Sequence, residues 1–144
     1  MSGEEKNWNL LNGLALAYIG DAVFEVFIRQ YLLEQGQTRP NELHRNATLF
    51  VSAKAQSRLI KKLLEEKRLS ETEEDIFKRG RNAKSHTTAK NADVATYRAS
   101  TGFEALMGYL HMTGHTERLE ELVQWCIQDV ENERNKRQLM QENH

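Results

Sequence analysis

One stretch near the N-terminus, LAYIGDAVFEVFIRQYLL at residues 16–33, constrains the fold more than any other part of the chain. Its apolar residues occupy nearly every face of a helix, which is typical of a helix at the centre of a domain. It nevertheless carries Asp21 directly after Gly20. Aspartate is a poor helix-interior residue and is costly to bury without a partner. The stretch therefore predicts a central helix in which Asp21 either meets a positive charge or lies at a functional surface.

The rest of the chain predicts an all-α fold in a single domain covering residues 1–144. It contains one proline, Pro40, and no run alternates between apolar and polar residues as a strand would. At 144 residues the chain is long enough for one hydrophobic core. The expected helices are 10–34, a region from Pro40 to 67 that breaks near Val51 and Ser52, a short helix opened by a Ser70–Glu73 capping box, 97–114, and 116–138 with fraying beyond Glu133.

Charge is distributed unevenly, although the formal net charge is only −1. The basic segment, residues 78–98, has few large apolar residues, is expected to be partly a long loop over 79–94, and has the composition of a phosphate-binding loop. A solvated charged loop is the alternative. The last helix, by contrast, is acidic. The candidate RNA-binding residues of the basic segment are Lys78, Arg79, Arg81, Lys84, Ser85, His86, Thr87, Lys90, Asn91 and Arg98.

The sequence argues against several other kinds of site. A single cysteine, Cys126, excludes a disulfide framework and a four-cysteine zinc site, fits a reducing cytoplasm, and is expected in the core. His111 and His115 are four residues apart, but Gly114 should end the helix between them. No apolar run approaches the roughly 20 residues of a membrane span, and no signal-peptide pattern opens the chain. A cytoplasmic protein without a membrane partner is predicted.

Two carboxylates remain as candidates for chemistry, Asp21 and Glu104. Each lies in a core-like helix beside small residues that let helices approach closely: Gly20 and Ala22, and Gly102 and Ala105. Two carboxylates on packed helices form an oxygen site suited to Mg²⁺. Both also have structural alternatives, because Asp21 could pair with an arginine. Thr101-x-x-Glu104 has the spacing of a capping box.

These same residues carry a resemblance to the ribonuclease III family. YIGDAVFEVFIRQYLL resembles the family's signature helix, of the form E-x-L-E-[FY]-L-G-D-[AS]-[VIL], and FEALMGYLH resembles its second catalytic segment, D-x-x-E-A-[LI]-x-G. RGRNAKSH and YRASTGFEALMGYL look closest to Mini-ribonuclease III, the bacterial form without a separate double-stranded-RNA-binding domain. The resemblance spans most of the chain, with its two motifs in the expected order.

Carried over position by position, the resemblance makes Asp21 and Glu104 the catalytic, metal-binding carboxylates. The earlier glutamates of the signature fall at Leu14 and Ala17, and the aspartate of the second motif falls at Thr101. Three positions that carry a carboxylate in the family therefore carry none in this chain, which leaves the number of metal ions per site open.

The resemblance implies an Mg²⁺-dependent endoribonuclease that cleaves double-stranded RNA, leaves 5′-phosphate ends and acts as a two-fold homodimer. It also implies a substrate, the stem at the ends of the large-subunit (23S-type) ribosomal RNA precursor, and leaves open whether a ribosomal protein assists. Two other functions stay open: an inactive RNA-binding protein of the same fold, and a helical protein-interaction module that uses the acidic last helix.

Overall fold

The computed structural model describes residues 7–84 and 93–142, and all regular structure within those ranges is helical. The all-α prediction is confirmed. After a short 3₁₀ turn at Trp8–Leu10, the helices are α1 (Gly13–Glu34), α2 (Pro40–Val51), α3 (Ala53–Glu65), α4 (Glu71–Asn82), α5 (Val94–Met112) and α6 (Thr116–Glu142).

Helices α1 and α5 form the centre of the fold, and α3 and α4 pack against α5. The rings of Phe24 from α1 and Phe103 from α5 meet edge to face, with centroids 4.9 Å apart, and both side chains are fully buried. Helix α1 begins at Gly13 rather than near Leu10, because the Asn12 side chain accepts a hydrogen bond from the Ala15 amide at 2.8 Å and caps it.

The predicted break between α2 and α3 is present at Ser52. Its backbone is extended, and its hydroxyl accepts a hydrogen bond from the Ala55 amide at 3.1 Å, so it caps α3. Farther along, α3 is fixed to α6: Asp129, a buried carboxylate of α6, accepts from Arg58 at 2.7 Å and from Lys62 at 2.5 Å. Ser52 thus caps the start of α3, and ion pairs to α6 hold its later turns.

The Ser70–Glu73 capping box predicted for α4 is confirmed, with both of its hydrogen bonds formed. Residues 79–94 were expected to be partly a long loop, and α4 continues through the first of them, to Asn82. Packing explains the difference, since Gly80 is buried against α5, where a Cβ would be 2.6 Å from that of Ala105. Close contact with α5 thus offsets the low helix propensity of glycine.

The last two helices are longer than predicted. Helix α5 begins at Val94 because the Asp93 side chain accepts from the Thr96 amide at 2.7 Å. Helix α6 continues to Glu142 instead of fraying beyond Glu133. Ion pairs one turn apart, such as Arg134 with Glu131 at 3.1 Å, support its polar end. In the described part of the chain, the helices are too short or too polar to cross a membrane.

Candidate active site

Asp21 and Glu104, the two carboxylates singled out from the sequence, meet where α1 and α5 pack together. Asp21 is exposed in the first half of α1, and Glu104 is partly buried in the middle of α5. Their carboxyl groups lie close enough for Asp21 to raise the pKa of Glu104, both by hydrogen bonding and by its negative charge.

The meeting depends on two glycines at the contact between the helices. A Cβ on Gly20 would overlap the backbone carbonyl of Glu104, and one on Gly108 would overlap the carbonyl oxygen of Leu16. The expectation that small residues permit this approach is confirmed for Gly20. Gly102 also permits a close helix contact, but with α4, where a Cβ would lie 2.6 Å from the Phe77 carbonyl oxygen. The expectation was wrong for Ala22, which is exposed to solvent.

The pKa of Glu104 is strongly shifted from its ordinary value. Burial, the hydrogen bond to Asp21 and the negative charge of Asp21 raise the pKa of Glu104 to about 9, and the charge of Glu25 acts in the same direction. A hydrogen bond from the Gln56 side chain lowers the pKa, against the other effects. The site therefore holds a proton at neutral pH that a bound cation would displace.

Gln56 and Glu25 were not among the residues predicted from the sequence. Glu25 follows Asp21 by one helical turn and pairs with Arg29 at 2.9 Å. Gln56 is 2% exposed on α3. It precedes Leu59, Ile60 and Leu63 by three, four and seven residues, so it occupies a core position of the helical repeat. A glutamine at such a position is the sequence signal that could have identified it.

Neither structural alternative for the carboxylates is supported. Thr101 does not cap a helix: it is buried within α5, and its hydroxyl donates to the backbone carbonyl of Tyr97 at 3.1 Å. The capping-box interpretation of Glu104 was therefore wrong, because α5 begins at Val94 with Asp93 as its cap. For Asp21, the ion pairs formed within residues 7–84 and 93–142 include no arginine partner.

The other positions that correspond to metal ligands in the resemblance cannot supply carboxylates. Leu14 is 39% exposed, and Ala17 is buried. No group of three histidine, cysteine, aspartate or glutamate side chains is arranged to hold a metal ion within the described ranges. Cys126 is fully buried, as predicted, and burial raises the pKa of its thiol. In the described ranges, few carboxylate oxygens are thus available to a cation at this contact.

The described part of the basic segment lies at the end of α4 and the start of α5. Lys78, Lys84 and Arg98 are exposed. The Arg79 guanidinium donates to the Leu11 carbonyl at 3.4 Å, and that of Arg81 lies 5.4 Å from the centre of the Phe77 ring. The remaining candidates of this segment lie outside the described residues: Ser85, His86, Thr87, Lys90 and Asn91.

The chain is similar to known proteins in both sequence and structure. Residues 14–115 match the ribonuclease III domain. A protein of Streptococcus pneumoniae named Mini-ribonuclease 3 is 66% identical over 85% of this chain and 96% of its own length. Proteins of the same name from Enterococcus faecalis and Staphylococcus aureus are 62% and 46% identical, over 87% and 91% of this chain and 95% and 97% of their own lengths.

A solved structure shares the fold. The crystal structure of a protein from Fusobacterium nucleatum superimposes with a TM-score of 0.76 at 31% identity, over 87% of this chain and 98% of that one. The matched domain includes both motifs, so Asp21 and Glu104 fall within it.

Proposed function

The chain is an endoribonuclease of the ribonuclease III family, and we propose that it cleaves double-stranded RNA with Mg²⁺ held by Asp21 and Glu104. The observation that carries the proposal is the meeting of these two carboxyl groups on packed helices, one exposed and one partly buried. Carboxylate oxygens are the ligands that Mg²⁺ prefers, and the ion retains several waters where protein ligands are few. The donor set therefore fits this ion.

The roles of the two residues follow from their surroundings. When bound, Mg²⁺ would supply an activated water and stabilise negative charge on the phosphodiester during in-line attack. Asp21 is exposed, so its carboxylate can reach a cation at the surface where RNA arrives. Glu104 would give up its proton to a bound cation, because positive charge would reverse the effect of its carboxylate neighbours. By family resemblance, the products carry 5′-phosphate ends.

A homodimer is the second part of the proposal. Leu14, Tyr18, Ala22 and Val26 are four residues apart on α1 and exposed, so they form one stripe, here named the α1 stripe. Tyr18 is 85% exposed and Val26 62%. Apolar surface of this kind marks a protein interface. A two-fold dimer through the α1 stripe would bring two sites to one duplex, one for each strand.

We assign RNA binding to the basic segment. This segment belongs to the same, single catalytic domain as the two carboxylates. A-form RNA is recognised mainly through its shape, its 2′-hydroxyls and its phosphates. The exposed lysines Lys78 and Lys84 suit contacts of that kind. By family resemblance, the substrate is the stem at the ends of the 23S-type ribosomal RNA precursor in the cytoplasm.

The test is cleavage of a long RNA duplex by wild type and by Asp21→Asn, with Mg²⁺ and with a chelator. Asparagine keeps the shape of aspartate but removes its charge, so we expect a loss of at least about a hundredfold while the protein stays folded. Near-normal turnover of Asp21→Asn at saturating Mg²⁺ would refute the assignment. RNA binding without cleavage by wild type would favour the inactive RNA-binding protein, and neither binding nor cleavage would favour the interaction module.

A further inference from the structure

Gln56 is an unusual residue for its position. It is 2% exposed on the buried face of α3, where its neighbours Leu59, Ile60 and Leu63 are apolar and buried. Burying an amide costs free energy unless it is hydrogen-bonded. An apolar side chain of similar size would fill the same space without that cost. The polar group therefore requires an explanation beyond packing.

The neighbouring helix supplies the explanation. Helix α3 packs against α5, and the buried Gln56 amide lies near enough to the Glu104 carboxyl group to lower its pKa. Both other neighbours identified at Glu104, Asp21 and Glu25, are acidic. Glutamine has two N–H donors and one oxygen acceptor, so it can donate to an ionised carboxylate. A carboxylate surrounded by negative charge gains most from such a donor.

Helix α3 is well placed to hold this amide still. Ser52 caps its first turn, four residues before Gln56. Arg58 and Lys62 tie it to the buried Asp129 of α6. A donor on a fixed helix loses little side-chain freedom when it makes its hydrogen bond. Side chains that orient a metal ligand in this way tune the affinity of the site.

We propose that Gln56 is a positioning residue for Glu104: its buried amide donates to the Glu104 carboxylate and fixes that carboxylate for the divalent cation. The inference rests on the proposed function, because it concerns the same metal site. Gln56 acts through Glu104 and not on RNA, so its replacement should weaken metal binding even when no RNA is present.

The experiment is a titration of the RNA-free protein with Mn²⁺, whose bound and free forms are distinguished by electron paramagnetic resonance. Mn²⁺ binds to the same oxygen ligands as Mg²⁺. Gln56→Met keeps the volume and removes the donor, and we expect Mn²⁺ binding about 10- to 100-fold weaker. Gln56→Asn keeps an amide but shortens its reach, and we expect a loss in the same direction.

The matched control is Leu63→Val, a buried change two turns along α3 that lowers thermal stability without removing a polar group. Weaker Mn²⁺ binding in folded Gln56 variants but not in Leu63→Val supports the inference. Wild-type affinity in the Gln56 variants, or a loss that only follows the fraction of unfolded protein, overturns it. Wild type that binds no Mn²⁺, or Asp21→Asn that binds it normally, would instead overturn the proposed metal site.

Discussion

Gly20 of α1 lies so close to the backbone carbonyl of Glu104 on α5 that a side chain of even one carbon would overlap it. A glycine inside a helix costs about 1 kcal/mol relative to alanine. Here that cost accompanies a helix contact that places Asp21, the next residue, beside the Glu104 carboxyl group. The two neighbouring residues therefore act together: Gly20 permits the close helix contact, and Asp21 meets Glu104 because of it.

Gly20→Ala should separate α1 from α5 and disturb the carboxylate pair. We expect a destabilisation of about 1–3 kcal/mol, the usual cost of overpacking a core, and loss of RNA cleavage at temperatures where the protein is still folded. Urea unfolding and duplex cleavage measure the two effects. Gly36→Ala is the control: Gly36 has a φ of +88°, but among the described residues only its chain neighbours lie within 4 Å of where a Cβ would be. Strain there should lower stability and leave cleavage intact.

Glu104→Gln should raise the stability of the metal-free protein while lowering its cleavage activity. The pKa of Glu104 is raised to about 9, so the metal-free folded protein disfavours its ionised form. Near pH 4 the group is largely neutral in both folded and unfolded chains. As the pH rises from there towards 9, the unfolded chain ionises freely while the folded chain does not, so wild type loses stability across this window.

Glutamine remains neutral throughout and keeps the size of the side chain. We therefore expect the metal-free Glu104→Gln protein to melt at a higher temperature than wild type at pH 8, with the difference shrinking towards pH 4. Cleavage in Mg²⁺ should fall by at least about a hundredfold. Melting curves at several pH values in a chelator measure the first effect. Equal melting temperatures at pH 8 would contradict the high pKa of Glu104.

Sequence patterns identified the carboxylate pair but not its surroundings, and the reason is physical. Asp21 and Glu104 are recognisable because acidic residues stand out within apolar helices. Glu25 lies one helical turn after Asp21 on α1, so spacing along that helix could have indicated it, but Gln56 joins the pair only through the packing of α3. Residue spacing along one helix does not reveal which residue of another helix it will meet.

The helix ends likewise fall into those that the local sequence predicts and those that tertiary contacts determine. Local caps were readable: the Ser70–Glu73 box and the Ser52 break are formed as predicted. The end of α4 was not, because Gly80 continues the helix through its contact with α5. A glycine in a basic, polar stretch resembles a loop until its tertiary partner is known.

The α1 stripe gives a test of the homodimer. Val26→Glu or Tyr18→Glu introduces a charge at an exposed position, so the fold of the monomer should be retained while the dimer dissociates. A charge at Phe24 would be less informative, because that side chain is fully buried in the core. Sedimentation at micromolar concentration measures the change. Leu139→Glu, at an exposed position on α6, is the control. A monomeric wild type that cuts both strands in one encounter would contradict the proposal.

Lys84→Glu tests whether the basic segment binds phosphates. Lys84 is exposed just after α4, so the free energy of unfolding should change by no more than about 0.5 kcal/mol. Duplex affinity should fall by a similar factor for different RNA sequences, because phosphates carry no base information. Each lost contact should also reduce the slope of log affinity against log salt by about one unit. Lys90→Glu, which lies outside the described residues, should act in the same direction.

The control for Lys84→Glu is Lys136→Glu, the same charge reversal on the polar end of α6, where Lys136 is 3.8 Å from Glu133. Both variants lower the net charge of the chain equally, so any effect of overall charge on RNA affinity appears in both. A fall in affinity and in salt slope for Lys84→Glu alone assigns the contact to the basic segment. If the two variants match each other, or if Lys84→Glu matches wild type, the segment is solvated charge and the duplex is held by another surface.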